Sequence, residues 1–365
     1  MKKRHLFLWN NRLYTKFYII SNIDIHAGFC ALMLYVLNGI RKASDLNAIP
    51  VVDFNRHNTP EFYSQKHGES IWEYFFEPIS AYTAEGVQSF LEKGFIDTHA
   101  IYRPTAAEVM RMHHVEDERL ATFWAKKIPS NKAQWLAQKR MLGREYVENY
   151  IRVKQTILDK VNSFAASYFK DYYMIGVHIR GTDFAYASPT GINTYFEEIN
   201  TILEQNSNKQ CLIFLATDQK QYVEAFRNKY RDKILCINAL RSDNHIAPFR
   251  LTFADAYQKG EDVLADILIL SKCNHIIKSA AAVGEMALWF NRSVSISDFS
   301  IESEFYQKPY YELEAAFSKL NIGQKTTWQL KVHRFKLGLI RKIQDSIIGK
   351  KLYIKFKFVR KLLKH

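Results

Sequence analysis

One short stretch limits what this chain can fold into. The run Met174-Ile175-Gly176-Val177-His178-Ile179 is almost wholly apolar, and it stops at Arg180-Gly181-Thr182-Asp183. A brief run with no polar alternation reads as a strand buried on both faces, the mark of a parallel sheet. The polar cluster then falls at the carboxyl end of that strand, where open α/β sheets bind ligands. Arg180 offers a planar fork of donors that fits phosphate oxygens. Gly181 lets the backbone approach a ligand closely. Asp183 can accept from a hydroxyl or act as a base. The same residues also make an ordinary salt-bridged strand end, and taken alone they leave both readings open.

The pattern repeats through the rest of the second half. Helix Tyr195 to Gln205 leads to strand Cys211 to Thr217, which ends at Asp218. Helix Lys220 to Tyr230 leads to strand Ile234 to Ile237. Glu261 to Lys272 is an apolar helix with one acid, Asp266, on a buried face. Strand His275 to Lys278 is followed by Ser279 and a last helix through Phe290, with Val294 to Ile296 as one more strand. This alternation describes a doubly wound parallel domain. Arg180, Asp218 and Ser279 then converge on one sheet edge, which chance strand ends explain less well than a site does.

The first half opens the same way. Tyr14 to Ile20 reads as a strand, Ser21 to Phe29 as a polar turn containing Gly28, and Cys30 to Lys42 as a buried helix before strand Ile49 to Phe54. Such a turn sets backbone N–H groups at a helix N-terminus, ready for an anion. Gly28 could equally be a turn glycine with no ligand. Glu61 to Glu77 gathers Phe62, Tyr63, Trp72, Tyr74, Phe75 and Phe76. That is either a stacking surface for a sugar, with Glu77 as a candidate base, or a packed aromatic cluster. Thr83 and Thr105 are N-cap candidates for the helices after them. Ala133 to Ser167 reads as one long helical pattern.

The chain has 365 residues, 47% hydrophobic and 24% charged, enough for two globular cores. Cys30, Cys211, Cys236 and Cys273 lie in apolar runs with no metal spacing, as reduced core thiols do. Leu6 to Trp9 is cut off by Asn10-Asn11-Arg12, too short for a signal core, and nothing elsewhere runs to about 18 apolar residues. A cytoplasmic protein is expected. The net charge of +14 is uneven: Gln324 to His365 holds thirteen Lys or Arg against one acid, Asp345, and so carries +12. A basic pI confined to a tail argues against nucleic acid as a partner of the body. Residues 331–365 interleave lysines with Phe, Ile and Leu, as a basic amphipathic segment on an anionic membrane does.

The segments His178-Ile179-Arg180-Gly181-Thr182-Asp183, Leu215-Ala216-Thr217-Asp218 and Asp262 to Ser271 resemble, in order and spacing, the α-1,6/protein O-fucosyltransferase superfamily, from about Tyr172 to Phe290. Asp24 to Phe54 is more weakly similar. The resemblance implies an α/β, GT-B-like fold: two Rossmann-like domains, 1–168 on the acceptor side and 169–323 for the donor, facing a cleft, with 324–365 as a basic tail. It implies an inverting, metal-independent glycosyltransferase with no cofactor, moving fucose from GDP-fucose to a hydroxyl of a cell-surface glycan precursor, which could be lipid-linked at the inner membrane face. By the same resemblance Arg180 holds the β-phosphate, His178 and Asp266 contact the nucleoside, Asp183 lies near the sugar or acceptor, Asp218 is a cleft acid, and Gly28 lets the backbone meet the diphosphate. Ser279 and nearby N–H groups would bind phosphate.

Two positions depart from the superfamily pattern. Gly181 stands where a second arginine is common, which makes Arg103 or Arg140 a possible substitute. Ala280-Ala281-Ala282 stands where hydroxyl residues are common. They keep two alternatives in view: a GT-B transferase with another nucleotide sugar, and a non-catalytic nucleotide- or glycan-binding relative.

Overall fold

Two parallel sheets are built from the strands expected and a few that were not. In the computed structural model, residues 5–24, 27–114, 120, 131–182, 190–244, 246–251, 254–291 and 293–300 are described. All of them belong to one compact unit, Met1–Glu312. Asp183 and the basic segment 324–365 lie outside the described residues.

The larger sheet has five strands: β6 (Tyr173–Ile179), β7 (Cys211–Thr217), β8 (Ile234–Leu235), β9 (His275–Lys278) and β10 (Ser295–Asp298). Every pairing is parallel, in the order β10-β9-β6-β7-β8. Helices α6 (Ile192–Gln205), α7 (Lys220–Tyr230), α8 (Ala256–Ser271) and α9 (Ala282–Trp289) make the crossovers. Six of the seven β6 residues are buried, as a two-faced apolar run requires. The chain starts at β6, steps outward to β7 and β8, then returns through α8 to β9 on the other side of β6. The switch point therefore lies between β6 and β9.

The smaller sheet has the order β4-β3-β5, also parallel, from β3 (Phe17–Ser21), β4 (Ile49–Asp53) and β5 (Ile101–Tyr102). Helix α1 (Phe29–Asp45) joins β3 to β4 and is buried along most of its length. Two further helices belong to this half, α2 (Ala84–Glu92) and α3 (Ala106–His114). Both expected threonine caps form. Thr83 accepts from Gly86 N at 3.0 Å. Thr105 makes a reciprocal pair with Glu108, whose Oε2 accepts from Thr105 N at 2.7 Å.

Three readings need correction. The first strand does not run from Tyr14 to Ile20. A hairpin of β1 (Phe7–Trp9) and β2 (Arg12–Tyr14) precedes β3, because Asn10 and Asn11 both take positive φ and make the turn. The long helix over 133–167 is two helices, α4 (Lys132–Tyr150) and α5 (Gln155–Tyr168). Between them Val153 pairs with Phe76, Glu77 N donates to Arg152 O at 2.7 Å and Lys154 N to Phe75 O at 2.9 Å. That ladder captures the backbone groups a continuous helix would have used.

The third correction concerns the aromatic stretch, which is core and not a sugar platform. Phe62, Trp72, Tyr74, Phe75 and Phe76 are each no more than 5% exposed. Trp72 stacks on Phe76 at 4.2 Å, and Phe75 meets Phe29 edge-on at 5.0 Å. A Cβ on Gly260 of α8 would sit 2.4 Å from Phe75, so the ring presses directly on that helix backbone. Of the four thiols, all free, Cys30, Cys211 and Cys273 are buried as expected, but Cys236 is only half-buried.

Candidate active site at the switch point

The carboxyl ends of β6 and β9 carry the polar residues read from the sequence. Arg180 comes directly after β6, partly buried, with Nε donating to Thr182 O at 3.3 Å. Ser279 comes directly after β9, is buried, and shares a hydrogen bond with the buried hydroxyl of Tyr195. Just beyond it, α9 starts from Ala281 with no side-chain cap. On the other sheet, α1 starts from Gly28, again with no side-chain cap and no acid in its first turn. Helices α2, α4 and α8 are capped by Thr83, Asn131 and Asp255, while α5, α6 and α7 share the uncapped start. Each uncapped start leaves N–H donors unused and a partial positive charge, which favours an anion.

These pieces are neighbours. Helix α1 packs on α9. Burial pushes the thiol of Cys30, in the first turn of α1, up to about 12, and the charge of Arg180 offsets part of that rise. The guanidinium thus acts on the first turn of the helix that Gly28 opens.

Asp218, at the end of β7, faces the same edge in a different role from the expected donor contact. Its Oδ1 accepts from Gly181 N at 2.7 Å, and Oδ2 accepts from Thr182 N at 3.3 Å and from the Thr182 hydroxyl. Both oxygens thus hold the turn that carries Arg180. The absence of a second arginine at Gly181 also has a physical reason. A Cβ there would lie 2.1 Å from Gln219 Oε1 and 2.7 Å from the Tyr222 ring. Gln219 fills the space and is itself anchored by donating to Asn244 O at 2.9 Å.

His178 and Asp266 are buried and incompletely paired. No described group bonds to His178 Nδ1 or to Asp266 Oδ1. Burial holds His178 down to about 3, with Arg180 and Lys278 adding to the effect, so it is a neutral imidazole. Burial pushes Asp266 up to about 8, raised further by Asp262 and Asp218 and opposed by Arg241. Unpaired buried polar atoms are costly and rare, and a bound ligand is one way to satisfy them.

These two shifts predict a pH dependence. The carboxyl of Asp266 binds its proton more tightly folded than unfolded, so its contribution to stability falls as pH rises from about 4 to about 8. His178 works in the opposite sense, losing stability as pH falls from about 6.5 to about 3. Only Asp266 of the two acts between about pH 6.5 and 8. The ligand-free melting temperature is expected to drop across that window, and Asp266→Asn to flatten the drop in a calorimetric scan series.

Other expected residues lie in ordinary pairings. Glu77, half exposed, pairs with Lys154 at 2.9 Å, and among the described residues it bonds to none of Arg180, His178, Asp266 or Ser279. Arg103 faces Asp53 at 3.8 Å. Arg140 does not stand in for a second phosphate-binding arginine. Its fork is taken by Glu285 of α9, with both bonds at 2.9 Å, and by Asp298 of β10. Lys278 completes this buried set, 3.1 Å from Glu285 and 3.0 Å from Asp298. No local pattern hints at it, because its members are up to 158 residues apart. Among the described residues no group of three or more His, Cys, Asp or Glu is arranged to hold a metal ion, and no helix is long and apolar enough to cross a membrane.

No family model matches the chain, and no curated protein matches it. Among solved structures it is similar to fucosyltransferase NodZ from Bradyrhizobium, with 13% identity, 79% of this chain and 97% of that one covered, and a TM-score of 0.45. It is similar to POFUT1 in complex with GDP, with 8% identity, 77% and 98% covered, and a TM-score of 0.45. A mutant of Arabidopsis thaliana FUT1 in complex with GDP has 10% identity, with 78% and 70% covered, and a TM-score of 0.44. These neighbours come from the fucosyltransferase superfamily that the sequence resembles.

Proposed function

We propose that this chain is an inverting glycosyltransferase that takes a GDP-sugar, GDP-fucose first among them, and moves the sugar to a hydroxyl of a glycan acceptor. The observation that carries the reading is that Arg180 and the uncapped start of α9 follow adjacent strands at the switch point of a parallel sheet, with the charge of Arg180 reaching the uncapped first turn of α1. Sugar transfer leaves a diphosphate whose negative charge grows as the anomeric carbon turns cation-like. Arg180 and the N–H groups of α1 and α9 meet that charge without a metal. Asp266 would give up the proton that burial holds on it and accept from the N–H edge of guanine, which would supply a partner for its unpaired oxygen. Neutral His178 would lie against the nucleoside, and Ser279 beside the phosphates. In this reading 1–168 and 169–323 are the two Rossmann-like halves of a GT-B enzyme, Asp183 lies by the sugar, and 331–365 rests on an anionic membrane near a lipid-linked acceptor.

A second reading has a specific observation behind it. Asp218 is spent on the loop and Glu77 on Lys154, which favours a nucleotide-binding relative without transfer activity. Calorimetric titration with GDP, UDP, ADP and GDP-fucose, with EDTA present, tests the donor assignment. Selective binding of the guanine nucleotides is expected, and equal binding of UDP or ADP would overturn it. Slow hydrolysis of GDP-fucose without acceptor would separate the enzyme from the binder.

A further inference from the structure

Arg241 holds a buried donor with no partner, on the side of α8 that carries Asp266. It lies in the connection after β8, and both of its chain neighbours are tied down. Leu240 N donates to Asp262 Oδ2 at 2.7 Å, and Ser242 N donates to Asp218 O at 2.8 Å. Asp262 and Asp266 are one turn apart on α8 and so share a face of that helix. Arg241 is thus fixed between that face and the residue that holds the Arg180 turn. Part of its fork is spent on its own loop: Nη1 donates to Ala239 O at 3.2 Å and Nη2 to Ile237 O at 3.0 Å. Those bonds set the plane of the guanidinium. Nε is buried, and among the described residues nothing bonds to it.

Asp266 Oδ1 is likewise buried and unpaired, so the two groups do not bond each other. They act on each other through charge, since Arg241 opposes the rise that burial imposes on the Asp266 carboxyl. Leaving either atom without a partner is costly. A ligand that satisfies both must offer an acceptor to Arg241 and a donor to Asp266. Guanine carries that pair on one edge, O6 beside N1–H. Adenine reverses it, with the N6 amino group beside the acceptor N1, and would set donor against donor and acceptor against acceptor. Uracil repeats the guanine pair with O4 and N3–H, so this edge rejects adenine and cytosine and leaves ring size to reject uracil. We infer that Arg241 is a specificity-determining residue of the donor site, its Nε–H donating to O6 of guanine while Asp266 accepts from N1–H. This role rests on the GDP-sugar reading and names what selects the base.

Titration calorimetry of the full chain with GDP, 6-thioguanosine diphosphate and pyrophosphate tests this. Sulfur in place of O6 keeps N1–H but accepts hydrogen bonds poorly. The wild type is expected to bind the thio nucleotide about tenfold or more weakly than GDP. Arg241→Met is expected to bind the two nucleotides alike, at the weaker level, and to bind pyrophosphate as the wild type does. A wild type that binds GDP and the thio nucleotide alike would overturn the role of Arg241, whatever the variant does. A variant that still prefers GDP, or one that loses GDP and pyrophosphate together, would overturn it as well, the latter by marking Arg241 as a purely structural residue. A wild type that binds no GDP at all would overturn the donor reading itself, and this role with it.

Discussion

On the proposed donor assignment, replacing Arg180 with alanine is expected to abolish detectable binding of a nucleoside diphosphate and to slow sugar transfer by about 100-fold or more. The fold should survive, because Asp218 still holds the turn through Gly181 N at 2.7 Å and Thr182 N at 3.3 Å when the 3.3 Å bond from Arg180 Nε to Thr182 O is lost. What is lost is a partly buried fork of donors whose charge reaches the first turn of α1. Arg180→Lys restores a point charge without the fork, and so is expected to recover only part of the loss. Guanosine, which has no phosphate, should bind both variants as it binds the wild type. Titration calorimetry with GDP and guanosine reads the difference. An alanine variant that keeps its GDP affinity would move the diphosphate away from the β6 end.

The second large effect is on stability. Among the described residues, Arg140→Met leaves Lys278 as the cation facing Glu285 and Asp298, and the buried charges of this set no longer balance. Removing one partner of such a set costs about 3–5 kcal/mol, read as a fall in the midpoint of chemical unfolding. Adding Glu285→Met to Arg140→Met restores the balance between Lys278 and Asp298 and should cost less than the single change. If the double variant is no better than the single one, packing is responsible and not charge. The same cluster makes the protein acid-sensitive. Lys278 and Arg140 hold the carboxyls of Glu285 and Asp298 below their usual range despite burial. Their stabilising contribution is present at neutral pH, above the unfolded value of about 4, and is lost as pH falls through the lowered values.

How much of this was legible depends on where the signals lie. Strands β7 and β9 and helix α7 have the bounds read from the sequence, because a strand buried on both faces spells its burial locally. Asp266 was legible as an acid in an apolar helix, and Arg180, Asp218 and Ser279 as strand-end polar residues. The hairpin was not, because Asn10-Asn11 interrupts an apolar run and hides there, although a pair of residues tolerant of positive φ is itself a turn signal. The break between α4 and α5 depends on hydrogen bonds to residues 75–77 that helical periodicity cannot register. Arg140 looks like any surface arginine of an exposed helix until Glu285 and Asp298 are placed beside it. Gly181 looks like a loss until Gln219 is seen filling its space.

The strand order has a consequence for how the chain is made. Strand β6 sits between β7, which comes soon after it, and β9, which arrives only after about a hundred further residues. Asn274, just before β9, is bonded to Met174 across a separation of 100 positions. During synthesis β6 and β7 can pair early, yet the other side of β6 stays an open, apolar edge until α8 and β9 have emerged. A non-local pairing of this kind is slow to form and prone to aggregation while it waits. Because the edge that waits is the one that later bounds the site, a nascent chain stalled before residue 275 should need a chaperone and should bind no nucleotide.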